Sequence, residues 1–330
     1  MKIGITGATG LIGNNLCRKL LELGHKVNVL IRDNNSSAIQ KLNANKFIGD
    51  LNNTKVLENF CRGCDLIIHS AAIISIGKEK NEKVYEVNIL GTKNILDTSI
   101  KCDVKKFIYI GSINAYKKFP LNQPINEKRN LVEKGFAYDL SKSKAQQLVL
   151  KNNDIDTIVL NPTSVLGPND FKPSLLGSTI YDLYNNKLPF ILNGGVDIID
   201  VRDLSNAIIE SINIKKAKES YIISGKWYSF KEIVGIIKSI NQSKKIIITV
   251  PLWYIKSMFP IINLFPNKFL LFSTKVNSYF IPGLKNLTKE SLYNIIYFNK
   301  KIDNSKAKKE LKLKTRPLTQ TLKDYLRWKT

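Results

Sequence analysis

Met1-Lys2-Ile3-Gly4-Ile5-Thr6-Gly7-Ala8-Thr9-Gly10-Leu11-Ile12-Gly13 opens the chain and runs directly into Asn14-Asn15-Leu16-Cys17-Arg18-Lys19-Leu20-Leu21-Glu22-Leu23-Gly24. The first stretch has the apolar density of a buried strand. The second has the apolar spacing of a helix closed by glycine, and a glycine turn lies between them. Missing Cβ atoms at Gly7 and Gly10 let a pyrophosphate approach the backbone, and Gly13 lets the helix pack close to the sheet. The first helical turn then offers N–H groups and positive dipole to the anion. Alone, such a fingerprint is a weak signal, shared with ordinary tight turns. Here it precedes His25-Lys26-Val27-Asn28-Val29-Leu30-Ile31, a second strand at βαβ distance, so Gly7, Ala8, Thr9, Gly10, Leu11, Ile12 and Gly13 are expected to bind a dinucleotide.

Farther along stands Tyr138-Asp139-Leu140-Ser141-Lys142. Tyr and Lys four residues apart on a helix share one face, and a fixed ammonium stabilises a phenolate, which otherwise forms only near pH ~10. The same spacing also occurs on amphipathic helices that carry a solvated lysine. Taken with the glycine turn, the pair points to proton transfer beside a nucleotide cofactor.

The glycines follow Gly-x-x-Gly-x-x-Gly, and with the Tyr/Lys pair the chain resembles the extended short-chain dehydrogenase/reductase superfamily over nearly its whole length. Within that superfamily, which includes NAD-dependent epimerases and dehydratases, it is most similar to dihydroflavonol-reductase-like proteins. The resemblance implies an α/β fold, a Rossmann-type doubly wound parallel sheet with a smaller C-terminal substrate lobe. It implies that Asp50 and Leu51 contact the adenine, that Ala71 and Ala72 close the fourth strand over the cofactor, and that Asn88 lies on a helix beside it. Ile108-Tyr109-Ile110-Gly111-Ser112 resembles the fifth strand ending on the catalytic Ser112, and Asn161-Pro162-Thr163 the segment under the nicotinamide, with Pro162 in contact. Ser112 would then hydrogen-bond the substrate oxygen, Tyr138 would move its proton, and Lys142 would hold the nicotinamide ribose and tune Tyr138.

Cofactor choice rests on the end of the second strand, where a carboxylate selects NAD and an arginine accommodates the 2′-phosphate of NADP. Ile31 occupies the acidic position and Arg32 follows it, so NADP(H) is expected. Asp33, one residue on, keeps NAD open as the alternative.

With 330 residues and 43% hydrophobic content, the chain can bury a sizeable core. Strand-like and helical runs alternate up to about residue 165, giving a cofactor domain at 1–165. Pro- and Gly-marked segments follow, giving a substrate lobe at 166–330, with 196–213 expected to return to the first domain and Ser229 to cap a helix. The two histidines, His25 and His69, lack metal-ligand spacing, and Gly-x-Ser-x-Gly does not occur, which argues against zinc and serine-hydrolase chemistry; no metal is expected. Cys61-Arg62-Gly63-Cys64 lacks a second such pair, and four unpatterned cysteines suit a reducing cytoplasm. A first core strand broken by glycines makes a poor signal peptide.

The net charge is +24. Biased Asn/Ile/Lys composition accounts for it without function, and nucleic acid is disfavoured as a partner because no recognition motif accompanies the charge. The segment 251–298 combines Trp253, Tyr254, Phe259, Phe265, Phe269, Phe272, Tyr279 and Phe280 with several lysines and Glu290 as its one acidic residue. It suits either a lid on an apolar pocket or peripheral contact with the inner face of an anionic membrane, and Lys256, Pro260, Pro266 and Lys268 interrupt any spanning helix. The expected partners are a small-molecule substrate and, from the resemblance, a second copy of the chain in a homodimer.

Together these features predict NADPH-dependent reduction of a ketone or aldehyde on an apolar small molecule. The alternative is an NAD-dependent nucleotide-sugar epimerase, although arginines for a diphosphate are few. From another class, the alternative is a non-catalytic NADP-binding regulator or membrane-associated scaffold, against which the intact Ser112/Tyr138/Lys142 set argues.

Overall fold

The computed structural model describes residues 1–74, 81–254, 257, 289–297 and 300–330. From the N-terminus run β1 (Lys2–Thr6), α1 (Leu11–Glu22), β2 (Lys26–Ile31), α2 (Ser37–Gln40), β3 (Asn45–Ile48), α3 (Thr54–Cys61), β4 (Leu66–His69) and α4 (Asn81–Tyr85). A π-helical turn at Glu86–Leu90 leads into α5 (Gly91–Lys101), β5 (Lys106–Ile110), a 3₁₀ turn at Ile113–Ala115, α6 (Ala137–Lys151), β6 (Asp156–Pro162) and β7 (Ser164–Leu166). Then come α7 (Leu175–Tyr184), β8 (Phe190–Leu192), β9 (Gly195–Asp200), α8 (Val201–Ile212), β10 (Glu219–Ile223), β11 (Lys226–Ser229), α9 (Phe230–Asn241) and β12 (Ile248–Val250). The chain finishes with α10 (Lys289–Ile296), α11 (Ser305–Glu310) and α12 (Leu318–Lys329).

Seven strands form one parallel sheet in the order β10-β6-β5-β4-β1-β2-β3. Strands β1, β4 and β5 read as near-continuous apolar runs because helices cover both faces of the sheet. One core layer joins Ile3, Ile5, Val29, Ile68, Ile108 and Ile158 to Leu16 and Leu20 of α1 and to Leu204 and Ile208 of α8. On the other face, Ile67, Phe107 and Val159 pack with Phe60, Ile95, Ala145 and Val149. Strand order reverses between β1 and β4, opening the crevice in which such sheets bind nucleotides.

The second half divides differently from the expectation for 196–213. Strand β9 stays out of the main sheet and pairs with β7 and β11. Only α8 returns, packing on α1, and β10 then adds beside β6 as the seventh strand. An apolar run such as Val196–Ile199 has the same periodicity whichever sheet receives it, so the pattern could not choose. Ser229 caps α9 in a reciprocal capping box with Glu232. A third core holds Leu166, Ile180, Ile198, Ile233, Leu322 and Tyr325, making α7, α9 and α12 one lobe with the small sheet.

Candidate active site

Gly7 ends β1 with φ +77°, and a Cβ there would lie 2.7 Å from the Ala71 nitrogen and 2.8 Å from Ser70. At Gly13 it would meet the Gly7 carbonyl oxygen at 2.4 Å. Close packing of β1, β4 and α1 therefore requires both glycines. Gly10 differs, because a Cβ there would touch only the Gly7 oxygen at 3.4 Å, an ordinary contact. Its open side lies at the start of α1, where no side chain caps the helix and the first turn carries no acidic residue. Uncapped N–H groups, the dipole and missing Cβ bulk fit a pyrophosphate, and Ala8, Thr9, Leu11 and Ile12 belong to the same turn.

Ile31 is the last, buried residue of β2, and Arg32 follows it at the surface, with no ion pair among the described residues. Asp33 accepts from the Asn35 amide at 2.8 Å, an Asx turn. Asp50 is exposed and accepts from the Asn52 amide at 2.9 Å, while Leu51 is buried and its carbonyl accepts from Asn94. Ala71 and Ala72 are half-buried past the end of β4, and Pro162 is buried at the end of β6.

Asn88 sits in the π-helical turn. Its Oδ1 accepts from the Ile73 amide at 2.7 Å, and its Nδ2 donates to the Ile73 carbonyl at 3.0 Å and to Ser141 Oγ at 2.9 Å. Ser141 in turn donates to the Tyr138 carbonyl at 2.7 Å. On the other side of Asn88, its carbonyl accepts from Thr92 Oγ1 at 2.7 Å. That hydroxyl proton being committed, Thr92 accepts from His69 Nε2 at 3.0 Å, and His69 Nδ1 accepts from Thr6 Oγ1 at 2.6 Å. Burial pushes His69 down to about 3, consistent with a neutral ring. A continuous hydrogen-bonded line thus joins the end of β1 to the backbone of Tyr138.

Ser112, Tyr138 and Lys142 converge at the end of β5. Asn161 Oδ1 accepts from the Ser112 amide at 3.0 Å and Asn161 Nδ2 donates to the Tyr116 hydroxyl at 3.2 Å, which fixes the turn that presents Ser112. A Cβ on Gly111 would lie 2.1 Å from that Asn161 oxygen, so glycine is what lets Asn161 reach the turn. The Ser112 side chain lies close enough to Tyr138 to act on its phenol. Burial raises the Tyr138 phenol well above its ordinary value, Ser112 pulls it down, and the carboxylates of Asp139 and Glu290 push it up. Tyr138 therefore holds its proton.

Lys142 is buried, its Nζ donates to the Ile110 carbonyl at 2.9 Å, and it lies 5.0 Å from the centre of the Tyr109 ring. Desolvation lowers its own pKa to about 7, so it holds its charge weakly at neutral pH. Lys142 lies one helical turn from Tyr138 on the same helix.

Long-range packing adds residues that the sequence did not single out. Lys118 Nζ lies 3.6 Å from Asp139 Oδ2, donates to Asn294 Oδ1 and sits 4.7 Å from the centre of the Tyr293 ring. Phe136 meets Tyr293 edge-on at 5.4 Å, and Phe119 meets Tyr297 at 5.5 Å. Helix α10, which also brings the buried Glu290, is thereby fastened over the start of α6. Asp139 could have been noticed as the neighbour of Tyr138, but nothing local marks Lys118 or Glu290.

Other expectations resolve as follows. Cys61 and Cys64 are free, buried thiols that burial pushes up to about 12 and about 11, an inert environment. Trp253 is 70% exposed and Tyr254 50% among the described residues. Phe259, Phe265, Phe269, Phe272, Tyr279 and Phe280 lie outside the described residues.

A family model described as the NAD dependent epimerase/dehydratase family matches residues 3–224. A Synechocystis sp. protein bearing the name "Putative dihydroflavonol 4-reductase" is 30% identical over 340 residues, spanning 98% of this chain and 93% of that protein. Sterol demethylase protein B of Methylococcus capsulatus is 26% identical over 252 residues, spanning 75% of this chain and 76% of that protein. Among solved structures, that of gox2253 superposes with a TM-score of 0.81 at 27% identity, covering 99% of this chain and 97% of that one.

Proposed function

The chain belongs to the NAD dependent epimerase/dehydratase family, and from that premise we propose that it is an NADPH-dependent reductase of a ketone or aldehyde carried on an apolar small molecule. As a member of that family it is an NAD(P)-dependent enzyme acting on CH–OH or carbonyl groups. The observation that carries the reduction is the burial of Tyr138 beside Ser112 at the end of β5, which keeps the proton on its phenol. The nicotinamide cofactor supplies the hydride. Ser112 then orients the carbonyl oxygen, and Tyr138 protonates the alkoxide as negative charge develops. Lys142 would hold the cofactor's ribose from the same helix. Asn88 and Asn161 hold the two halves of the site in register.

Arginine commitments support this function over nucleotide-sugar epimerisation. Arg202 bonds Asp200 and Asp324, Arg316 bonds Asp203, and Arg129 donates to the Lys117 and Pro120 carbonyls. Few arginines remain to clamp a diphosphate. The exposed Arg32 behind Ile31 supports NADPH. We assign the cofactor to residues 1–165 with the returning α8 and β10, and the substrate to the remainder of 166–330.

NADPH oxidation measured against a panel of ketones, aldehydes and nucleotide sugars tests the proposal. Turnover of an apolar carbonyl compound is expected, and redox-neutral conversion of a nucleotide sugar without net NADPH loss would overturn it. Arg32→Ala should weaken NADPH binding by about 1.5–3 kcal/mol, some 10- to 150-fold, with little effect on NADH. Equal losses for both cofactors would remove Arg32 from 2′-phosphate recognition.

A further inference from the structure

The segment from Lys244 to Tyr254 is anchored by some of its apolar side chains and exposes others. Ile247 packs into the third core, and Val250 and Leu252 pack with Leu192, Leu292 and Ile296. Strand β12 is also hydrogen-bonded to β8, so the segment is fixed to the lobe. Among the described residues, four of its large apolar side chains stand exposed. Ile246 is 82% exposed, Ile248 65%, Trp253 70% and Tyr254 50%, four large apolar side chains within nine residues. Lys244 and Lys245 are exposed at the same edge. From residue 233 to residue 289 the sequence contains eight lysines and no Asp or Glu.

Scattered exposed hydrophobics are ordinary, but a cluster held outward by an anchored backbone has a continuing cost in water. We propose that this exposed segment docks onto an anionic phospholipid bilayer, with Ile246, Ile248, Trp253 and Tyr254 entering the interface and Lys244 and Lys245 meeting lipid phosphates. Indole and phenol rings suit the headgroup layer, having an apolar body and a polar tip. Aliphatic side chains at the centre of the patch favour lipid over nucleic acid, whose backbone offers them nothing apolar. Among the described residues no helix is long and apolar enough to cross a membrane, so attachment by this segment is peripheral. The proposal stands independently of the reductase assignment.

The full chain is sedimented with vesicles of phosphatidylcholine alone and of phosphatidylcholine mixed with phosphatidylserine. Binding is expected to the mixed vesicles and to fall steeply with added salt. Lys244→Gln with Lys245→Gln should weaken it on the order of 30-fold, and Ile246→Ser with Trp253→Ser at least about tenfold. NADPH titration should be unchanged in both variants, which shows them folded. The proposal is overturned if neither vesicle binds, or if binding survives the Ile246/Trp253 exchange and so reports bulk charge alone. It is likewise overturned if a homopolymeric RNA binds more tightly than the mixed vesicles and the apolar exchange leaves that binding intact.

Discussion

At the scale of single residues, the proposed reduction gives Tyr138 the proton and Lys142 the cofactor. Tyr138→Phe removes one phenolic proton and no charge, so turnover should fall by at least about 10²-fold while NADPH affinity stays near wild type. Lys142→Ala should damage both. Wild-type kcat in Tyr138→Phe, on a verified substrate, would remove Tyr138 from acid catalysis. Lys142 also makes a stability prediction. Its pKa is about 7 in the folded protein against 10.5 for the free side chain, so unfolding takes up a proton between those values. Wild-type stability from this group therefore rises as pH increases from about 7 to 10.5, and the full cost of burying the ammonium applies below 7. Lys142→Met removes that cost. Chemical denaturation should show the variant more stable than wild type at pH ~6, on the order of a few kcal/mol, with the gap closing towards pH ~10. A pH-independent gap would mean that Lys142 is not desolvated. The residues of this site were legible where chemistry is local. Tyr138 and Lys142 are one turn apart, and Gly7, Gly10 and Gly13 surround one turn. Lys118, Asn161 and Glu290 were not, since each acquires its role from contacts across the fold.

Among the elements, the joint between β9 and α8 carries the strongest charge network. Asp200 is buried, caps α8, accepts from Arg202 Nε at 2.9 Å and Nη2 at 2.7 Å, and accepts from Thr321 of α12 at 2.8 Å. Arg202 reaches Asp324 of α12 as well, and Asp203 accepts from Arg316. The C-terminal helix is thus bound to the point where β9 of the small sheet leads into α8. Asp200→Ala would strip the cap and leave a guanidinium half in protein, costing about 3 kcal/mol, the lower end for a broken buried pair because Arg202 keeps partial access to water. Thermal and urea unfolding check this, and an unchanged midpoint would show the network to be surface decoration. None of it was apparent beforehand, because Asp200 and Asp324 are ordinary acids in sequence. The π-helical turn at Glu86–Leu90 was equally hidden. An extra residue in the turn shifts every later side chain around the helix, and only packing reveals that this shift brings Asn88 to Ser141.

For the whole molecule, the glycine turn and alternating runs were enough to predict a doubly wound parallel sheet, since βαβ units admit few topologies. Membership of the last strand was not predictable, and that strand has a consequence for how the chain is made. Strand β10 lies beside β6 in the sheet yet follows it in sequence by about 55 residues. During synthesis at about 5–20 residues per second, β6 waits roughly 3–11 s with Thr157-Ile158-Val159-Leu160 as an unpaired edge. Such an edge is a template for another chain. The nascent protein is therefore most prone to aggregation after its cofactor half has emerged, and a product cut after β7 would keep that liability permanently. The stretch from β7 through α8 is the detour the ribosome must complete before the sheet can be closed.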